Sequence, residues 1–240
     1  MPNILKSKIS VIIPTYNEAG NIPVLVRNIF DQSIENLNLL IIDDSSPDGT
    51  SKIVNQLSKE YPGKIELIQR KKKSGLGSAY KLGYQKVISS DADIVVQMDA
   101  DLSHSPKYIP QFLKQLDNTD IVIGSRYIEG GKVDKNWNPL RKMISKLGVM
   151  SIRIVTGLKV KDVTSGFKAY KIDVLKTLNL ENLKCNGFGF QAEMIHSCTR
   201  NGYLVKEHPI YFQDRNNGKS KMSIQIILEA IKYLTLIRFK

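Results

Sequence analysis

Cysteine is scarce in this chain. Its 240 residues hold two, Cys185 and Cys198, and these are not spaced as C-x-x-C. That removes a disulfide framework and a zinc site, and it fits a reducing compartment. The three histidines, His104, His196 and His208, are scattered, and they read as structural or surface groups rather than catalytic ones. Long apolar runs are missing as well. The early "ISVIIP" is too short for a secretory signal and stops at Pro14. No stretch approaches the roughly 18 uninterrupted apolar residues of a membrane span. The chain shows neither an internal repeat nor a low-complexity linker. "GLGSAY" at residues 75–80 lacks a Walker lysine and does not follow G-x-G-x-x-G, which disfavours a P-loop ATPase or a dinucleotide oxidoreductase. No aromatic-basic RNA motif and no helix-turn-helix signature is present.

What remains is globular in character, with 42% hydrophobic and 24% charged residues, and long enough to bury the core of one α/β domain. The net charge is +12, and it is unevenly placed. Residues 1–120 carry 14 Lys/Arg against 14 Asp/Glu, and residues 121–240 carry 21 against 9. A basic half calls for an anionic partner, whether nucleic acid, an acidic membrane surface or a phosphorylated substrate. The alternative is a merely soluble basic surface.

The first half alternates strand and helix. "KISVIIP", "NLLIID", "KIELIQ", "DIVVQM" and "DIVIGS" predict five strands. Between them, Ala19–Ser33, Asp48–Tyr61, Gly77–Ser89 and Pro106–Leu116 predict helices. The strands are rich in Ile and Val with little alternation, as expected when both faces are covered. The prediction is an α/β fold built on a doubly wound, mostly parallel, Rossmann-like sheet with helices on both faces. In the second half, Gly130–Asn138 reads as a loop, Pro139–Thr156 as a basic helix and "DVTSGFKAY" as a turn into a short strand. Phe190–Asn201 reads as a helix, "LVKEHPIYFQ" as a strand, "DRNNGKSK" as a basic loop and Met222–Phe239 as a last helix. Residues 1–240 form one predicted domain, with a nucleotide-binding half (1–125) and a basic, membrane-facing half (126–240).

Ligands of such sheets bind beyond the carboxyl ends of the strands. The polar clusters "PTYNE", "DDSSPDGT", "RKKKSGLG", "DADLSH" and "SRY" all fall there. In "VQMDADLSHSP" an apolar run ends on Asp99 and Asp101. Two adjacent carboxylates repel, and a hard divalent cation between them resolves the repulsion. A solvated turn is the alternative, and five polar clusters on one edge favour the ligand. Asp44 reads as a ligand to base or ribose, Asp48 as a cap or loop former and Asp43 as structural. Lys71, Lys72 and Lys73 read as a solvated loop, with Lys73, nearest the glycines, the one in reach of an anion. The glycines permit a tight turn into a helix whose N-terminus could face a phosphate. Arg126, Arg141, Arg215, Lys219 and Lys221 suit phosphate oxygens, and "DRNNGKSK" suits a loop folding over an anion. The last helix has Ile224, Ile227, Leu228, Ile231 and Leu234 at helical spacing. It reads either as core packing or as a helix in a membrane interface.

The ordered set "PTYNE", "DDSSPDGT", "GLGSAY", "MDADLSH", "GSRY" and "DRNNGKSK" resembles the polyprenyl-phosphate glycosyltransferases of the GT-A nucleotide-sugar transferase family, the dolichol-phosphate mannose synthases. The resemblance runs from about Lys8 to the final helix. "PTYNE" and DxD mark only the broad class. "GLGSAY", "DADLSH", the "RKMIS" of Arg141–Ser145 and the R-x-x-G-x-S-K of Arg215–Lys221 are more selective. The resemblance implies a metal-dependent, inverting transfer of mannose from GDP-mannose to dolichyl or another polyprenyl phosphate. The product would be a donor for protein glycosylation or lipid-anchor assembly. By the same resemblance Pro14, Tyr16, Glu18, Ile42 and Asp44 hold the nucleoside. Asp99, Ala100 and Asp101 hold the diphosphate and a Mg2+ or Mn2+ ion, with Ser103 where some relatives place a metal-side glutamine. Arg126, Arg215 and Lys221 line the phosphates, and Arg141 and Ser145 meet the lipid phosphate. Asp99, Asp101, Arg126 and Arg215 are the catalytic set. The expected location is peripheral, on the cytoplasmic face of a membrane (the endoplasmic reticulum in a eukaryote), with small anchoring subunits as potential partners. Longer relatives continue into transmembrane helices, and this chain resembles the short members unless it is truncated. A sibling transferase using UDP-glucose, a nucleic-acid-binding module and an inactive scaffold are the rival readings.

Overall fold

A computed structural model describes residues 7–187, 189–214 and 235. The predicted α/β alternation is present. Strands β1 (Ile9–Thr15), β2 (Leu37–Asp43), β3 (Ile65–Gln69), β4 (Ile94–Gln97) and β5 (Ile121–Ser125) are separated by helices α1 (Ile22–Phe30), α2 (Thr50–Glu60), α3 (Leu76–Ile88) and α4 (Ile109–Gln115). The segment predicted as one helix from Pro106 is a 3-10 turn, Pro106–Tyr108, followed by α4. Pro110 has no N–H to continue the ladder, so the helix restarts there.

The second half contributes β6 (Lys132–Val133), α5 (Pro139–Thr156), β7 (Lys168–Lys171), α6 (Ile172–Thr177), α7 (Gly189–Arg200), β8 (Val205–Pro209) and β9 (Tyr211–Phe212). The main sheet has the order β3-β2-β1-β4-β7-β5-β8. It is mostly parallel, but β7 runs antiparallel to both β4 and β5. The reason lies in the chain path. After β5 the chain stays at the carboxyl edge through β6 and α5, so it re-enters the sheet from that edge and must run back. Two segments depart from the sequence reading. "LVKEHPIYFQ" is split after Pro209, and β9 pairs with β6 in a separate two-stranded ribbon. That ribbon places a short strand where a plain loop was expected, and α6 was not foreseen.

Every central strand feeds two cores. On β1, Ile12 faces one helical layer and Val11 and Ile13 the other. On β2 the same split separates Leu40 and Ile42 from Leu39 and Ile41. One core packs under α3, α5, α6 and α7, the other under α1, α2 and α4. That is why these strands show no polar alternation. Side chains on both faces are fixed by packing, so the backbone at each strand's carboxyl end is held firmly, and the polar clusters extend from those ends.

Candidate active site

Met98 bonds into the sheet through its amide to Ile12 O (3.2 Å), and the chain then turns out of the sheet. Ala100, between the two carboxylates, is buried. Leu102 follows at φ +63°, a left-handed backbone that costs a branched residue about 1–2 kcal/mol. Its side chain is packed against the core, which offsets that strain. Asp101 is 5% exposed, and its Oδ1 accepts from the Ser103 amide (3.1 Å) and the Ser103 hydroxyl (2.5 Å). Ser103 itself is fully buried, so its hydroxyl holds Asp101 in place.

Asp99 is more open, with 28% of its side chain exposed. Its amide donates to His104 Nδ1 (3.1 Å), so Nδ1 carries no proton. Burial pushes the His104 pKa down, and the ring is neutral at pH 7. It stacks on Phe167 and meets Phe212 edge-on, a structural role as its isolation in the sequence suggested. Among the described residues no Lys or Arg pairs with Asp99. Gly166 lies against it: a Cβ there would stand 3.0 Å from Asp99 Oδ1 and 3.2 Å from Oδ2. Tyr80, fully buried, directs its hydroxyl at Asp99 Oδ1 from 3.5 Å. Burial, then the nearby carboxylates, push its pKa well up, so it stays protonated.

The described residues contain no group of three or more His, Cys, Asp or Glu able to enclose a metal. The residues fit a different kind of site: two carboxylates at a strand mouth, one of them without a cationic partner among the described residues. Such a pair suits a Mg2+-like ion that takes its remaining ligands from phosphate oxygens and water.

The first two strands supply a second wall. Asp43 is fully buried and accepts from Thr15 Oγ1 (2.9 Å), the Ser46 amide (2.9 Å) and Ser51 Oγ (2.7 Å). It ties β1, β2 and the start of α2 together, the structural role expected of it. Asp48 accepts from the Ala19 amide (3.0 Å) and from the Thr50 amide and hydroxyl (3.0 and 2.6 Å). Burial opposes its charge, but these hydrogen bonds prevail and its pKa lies below the usual value. Asp44 is paired to Arg70 Nη1 (2.9 Å) and accepts from the Ser74 amide (3.1 Å). Arg70 also donates to Ser78 Oγ (2.6 Å), so it fastens the glycine loop to β2. Sequence reasoning passed over Arg70, although it opens the "RKKK" cluster.

The glycine loop itself is committed to the protein. Gly75 has φ +95°, and the Gly77 amide donates to Asn186 O (2.9 Å). A Cβ on Gly77 would meet Cys185 O at 2.7 Å, so close backbone approach is the reason for glycine there. The exposed Lys73 ammonium, read in the sequence as the lysine in reach of an anion, sits 3.7 Å from the ring centre of Tyr16, an expected nucleoside residue. Pro14, next to the last residue of β1, is half-buried, and Glu18 accepts from Asn21 Nδ2 (2.8 Å). Ile42 has its side chain fully buried in the core, so only its backbone is available to a ligand.

Across the groove, Arg126 at the end of β5 is gripped by Asp162. Nε donates to Oδ2 and Nη2 to Oδ1, both at 2.7 Å, and Nη2 also reaches Thr164 Oγ1 (2.9 Å). Burial opposes the charge, but Asp162 overcomes it and raises the pKa above the usual arginine value. Nε and Nη2 thus spend three of the five guanidinium protons on Asp162 and Thr164. Arg141 pairs with Asp214 (2.9 Å) and stacks over Trp137 (3.9 Å). Ser145 is buried, with its hydroxyl 2.6 Å from Tyr127 OH, where it positions α5. Arg215, Lys219 and Lys221, the basic loop beyond Asp214 and the Met222–Phe239 helix apart from Thr235 lie outside the described residues. The chain leading to them runs beside the DxD turn, where the Gln213 amide donates to Ser103 O (3.2 Å).

Beneath the DxD turn lies a buried polar cluster that sequence reasoning missed. Gln97 Nε2 donates to Gln191 Oε1 (2.8 Å) and Gly166 O (3.0 Å), and Gln97 Oε1 accepts from Tyr170 (3.1 Å) and from Tyr84. Lys168, paired opposite Gln97 across the strands, donates to Gln191 Oε1. Burial pushes the Lys168 pKa down to about 7. Its only sequence sign is a lysine where β7 should face the core.

The family model described as "Glycosyl transferase family 2" matches residues 10–178. Over 228 residues the chain is 39% identical to an undecaprenyl-phosphate mannosyltransferase of Micrococcus luteus, which covers 95% of this chain and 93% of that protein. It is 37% identical over 222 residues to a polyprenol monophosphomannose synthase of Mycolicibacterium smegmatis, covering 92% and 83%. Among solved structures, glucosyl-3-phosphoglycerate synthase of Mycobacterium tuberculosis with Mn2+, UDP-glucose and phosphoglyceric acid superposes with a TM-score of 0.68. The identity there is 18%, with 95% of this chain and 80% of that chain covered. That likeness concerns the fold, and it agrees with the GT-A architecture the resemblance implied.

Proposed function

The chain belongs to glycosyl transferase family 2, and from that premise we propose that it transfers mannose from GDP-mannose to a polyprenyl phosphate with inversion at the anomeric carbon. The observation that carries the proposal is the DxD turn, where Asp99 is open to the groove without a Lys or Arg partner among the described residues and Asp101 is locked by Ser103. The two mannosyl-transferring relatives support the choice of sugar and acceptor.

In this reading Asp99 and Asp101 hold a Mg2+ or Mn2+ ion, and Ser103 orients Asp101. When bound, that ion stabilises charge on the departing diphosphate. The protein's own groups do the rest. Tyr16, Glu18, Pro14 and the Ile42 backbone border the nucleoside, with Lys73 held over Tyr16. Asp44 is fixed by Arg70 and closes that wall. Arg126 stays charged against Asp162 and directs Nη1 toward the phosphates as a fixed electrostatic stabiliser. The family resemblance assigns Arg215 and Lys221 to the phosphates, and Arg141 and Ser145 align α5 for the acceptor. No protein base is required, because a phosphate monoester is already anionic at neutral pH, with a second pKa near ~6. Attack from the face opposite the leaving group inverts the centre. The acceptor is a lipid, so the chain acts at a membrane surface as a peripheral protein or docked to small anchoring subunits. Among the described residues no helix is long and apolar enough to cross a membrane.

The test is radiolabelled transfer to a polyprenyl phosphate from GDP-mannose, with UDP-glucose in parallel and with and without Mg2+ or Mn2+. Metal-dependent transfer from GDP-mannose is expected. Transfer from UDP-glucose alone would reassign the donor, and no transfer from either would refute the reading.

A further inference from the structure

We propose that Trp137, the one tryptophan of the chain, is a positioning residue for the acceptor: together with Asp214 it holds the Arg141 guanidinium where a lipid phosphate docks. This rests on the transferase reading above, in which Arg141 meets the acceptor, and it adds the side chain that aims that arginine.

Arg141 is fixed from three directions. Its guanidinium carbon lies 3.9 Å from the centre of the Trp137 ring. Nη1 donates to Asp214 Oδ1 (2.9 Å). Its backbone amide donates to Asn138 Oδ1 (2.7 Å), the cap of α5. Stacking engages the face of a guanidinium, and the N–H donors lie in its plane. Trp137 therefore orients Arg141 without spending a donor, whereas a second acid would spend one. The Arg141 and Asp214 side chains are 29% and 27% exposed, so the pair is open to a ligand.

Trp137 is itself anchored. It is buried, its amide donates to Asp134 O (3.2 Å), and its ring meets Phe212 edge-on at 5.7 Å between centres. Asp134 also accepts from the Asp214 amide (3.1 Å) and from the Asn136 amide (2.9 Å). One residue just past β6 thus anchors both flanks of Arg141. Trp137 Nε1 has no hydrogen-bond partner among the described residues, so what the position uses is the ring. Packing alone would explain an aromatic against Phe212. It would not explain a cation on the ring face that is paired with an acid from a third segment.

The same aromatics register Arg141 against Arg126. The Arg126 guanidinium lies 5.1 Å from the Phe212 ring centre and 5.1 Å from that of Tyr127. The Tyr127 hydroxyl stands 2.6 Å from Ser145 Oγ. Arg141 and Ser145 are one turn apart on the same face of α5, so two aromatic contacts tie that face to the arginine of the diphosphate side. In-line attack depends on such spacing, because the reacting atoms must be brought to about 3–3.5 Å before the bond forms.

The experiment uses the full chain and two readouts. The first is Trp137 emission, which no second tryptophan obscures, titrated with geranyl phosphate as a short, water-soluble acceptor and without donor. A saturable change is expected in wild type, and its loss in Arg141→Gln. No saturable change in wild type would overturn the proposal, and so would an unaltered change in Arg141→Gln. The second readout is steady-state transfer from GDP-mannose to geranyl phosphate. Trp137→Leu should raise the acceptor KM by about tenfold, the scale of one partly desolvated cation–π contact. It should lower kcat and leave the KM for GDP-mannose unchanged. Trp137→Phe keeps an aromatic face and loses no hydrogen bond, so it should restore most of the acceptor KM. Combining Trp137→Leu with Arg141→Gln separates aiming Arg141 from merely packing the ribbon. A residue acting through Arg141 adds nothing on that background, so the double variant should match Arg141→Gln. A further tenfold loss there, or equal losses toward donor and acceptor in Trp137→Leu, would overturn the proposal. If wild type shows the Arg141-dependent emission change but transfers no mannose, the transferase reading falls and the phosphate grip stands.

Discussion

Adding one methyl group at Gly166 tests the DxD site without touching either carboxylate. The new Cβ would stand 3.0 Å from Asp99 Oδ1, 3.2 Å from Oδ2 and 3.3 Å from Cγ. Ordinary contact begins near 3.4 Å, so something must give by a few tenths of an ångström. The backbone on the Gly166 side is pinned: Ser165 Oγ donates to Gly124 O (2.6 Å), the Phe167 amide donates to Ser165 Oγ (3.2 Å), and Gln97 Nε2 holds Gly166 O (3.0 Å). Asp99 has 28% of its side chain exposed, so it is the group that moves. Gly166 has no positive φ, and alanine adds no backbone strain. The stability cost of Gly166→Ala is therefore small for an overpacked site, about 1 kcal/mol. The catalytic cost exceeds the stability cost, because a 1 Å misplacement at a reacting centre costs on the order of 100-fold, and a few tenths of an ångström then cost up to roughly tenfold. A loss of up to about tenfold in kcat, a raised metal requirement and a near-normal melting midpoint are expected. Paired measurements of transfer rate against Mn2+ concentration and of thermal unfolding decide it. Wild-type turnover at the wild-type metal requirement would refute the placement of Asp99 at the reacting centre.

Three further outcomes follow from the same geometry. Asp101→Ala should abolish transfer while circular dichroism stays native, and near-normal turnover with metal present would remove Asp101 from the site. Asp162→Asn strips the counter-charge from buried Arg126 and turns an amide donor toward its guanidinium; a loss of about 3–5 kcal/mol in urea unfolding is expected, and an unchanged midpoint would mean the pair does not hold the end of β5. Lys168 has a folded pKa of about 7, below the unfolded value of about 10.4, so between those values the unfolded chain binds the extra proton and stability rises with pH. Lys168→Met leaves Gln191 Oε1 its bond from Gln97 and removes this titration, so the variant's advantage over wild type should be largest near pH 7 and below and should shrink toward pH 10; a difference independent of pH would show that Lys168 is not buried as an amine.

The sequence by itself determined the alternating layers, because Ile and Val on both faces of a strand leave only one architecture that buries them. It placed the polar clusters at the carboxyl edge of the sheet, since "PTYNE", "DDSSPDGT" and "DADLSH" each follow an apolar run. It also fixed α5 from Pro139 to Thr156, where a proline start and a glycine stop bracket a helical pattern. It was silent wherever the deciding partner lay far along the chain. Asp162 is one acid in a basic stretch until β5 brings Arg126 to it, and Gly166 is an ordinary turn glycine until Asp99 packs against it. The reversed direction of β7 came from the path around the edge, not from the four residues Lys168–Lys171. Ser145 and Ile42, named in sequence as ligand contacts, turned out to have buried side chains, because burial belongs to the packed layers and not to a motif. The sequence showed α5 only as a basic helix, and its exposed Leu140, Met143, Leu147 and Met150 emerged from the structure. Only the packed structure, by placing Ser145, Val149 and Ile152 against the core, decided which side of that helix faces away.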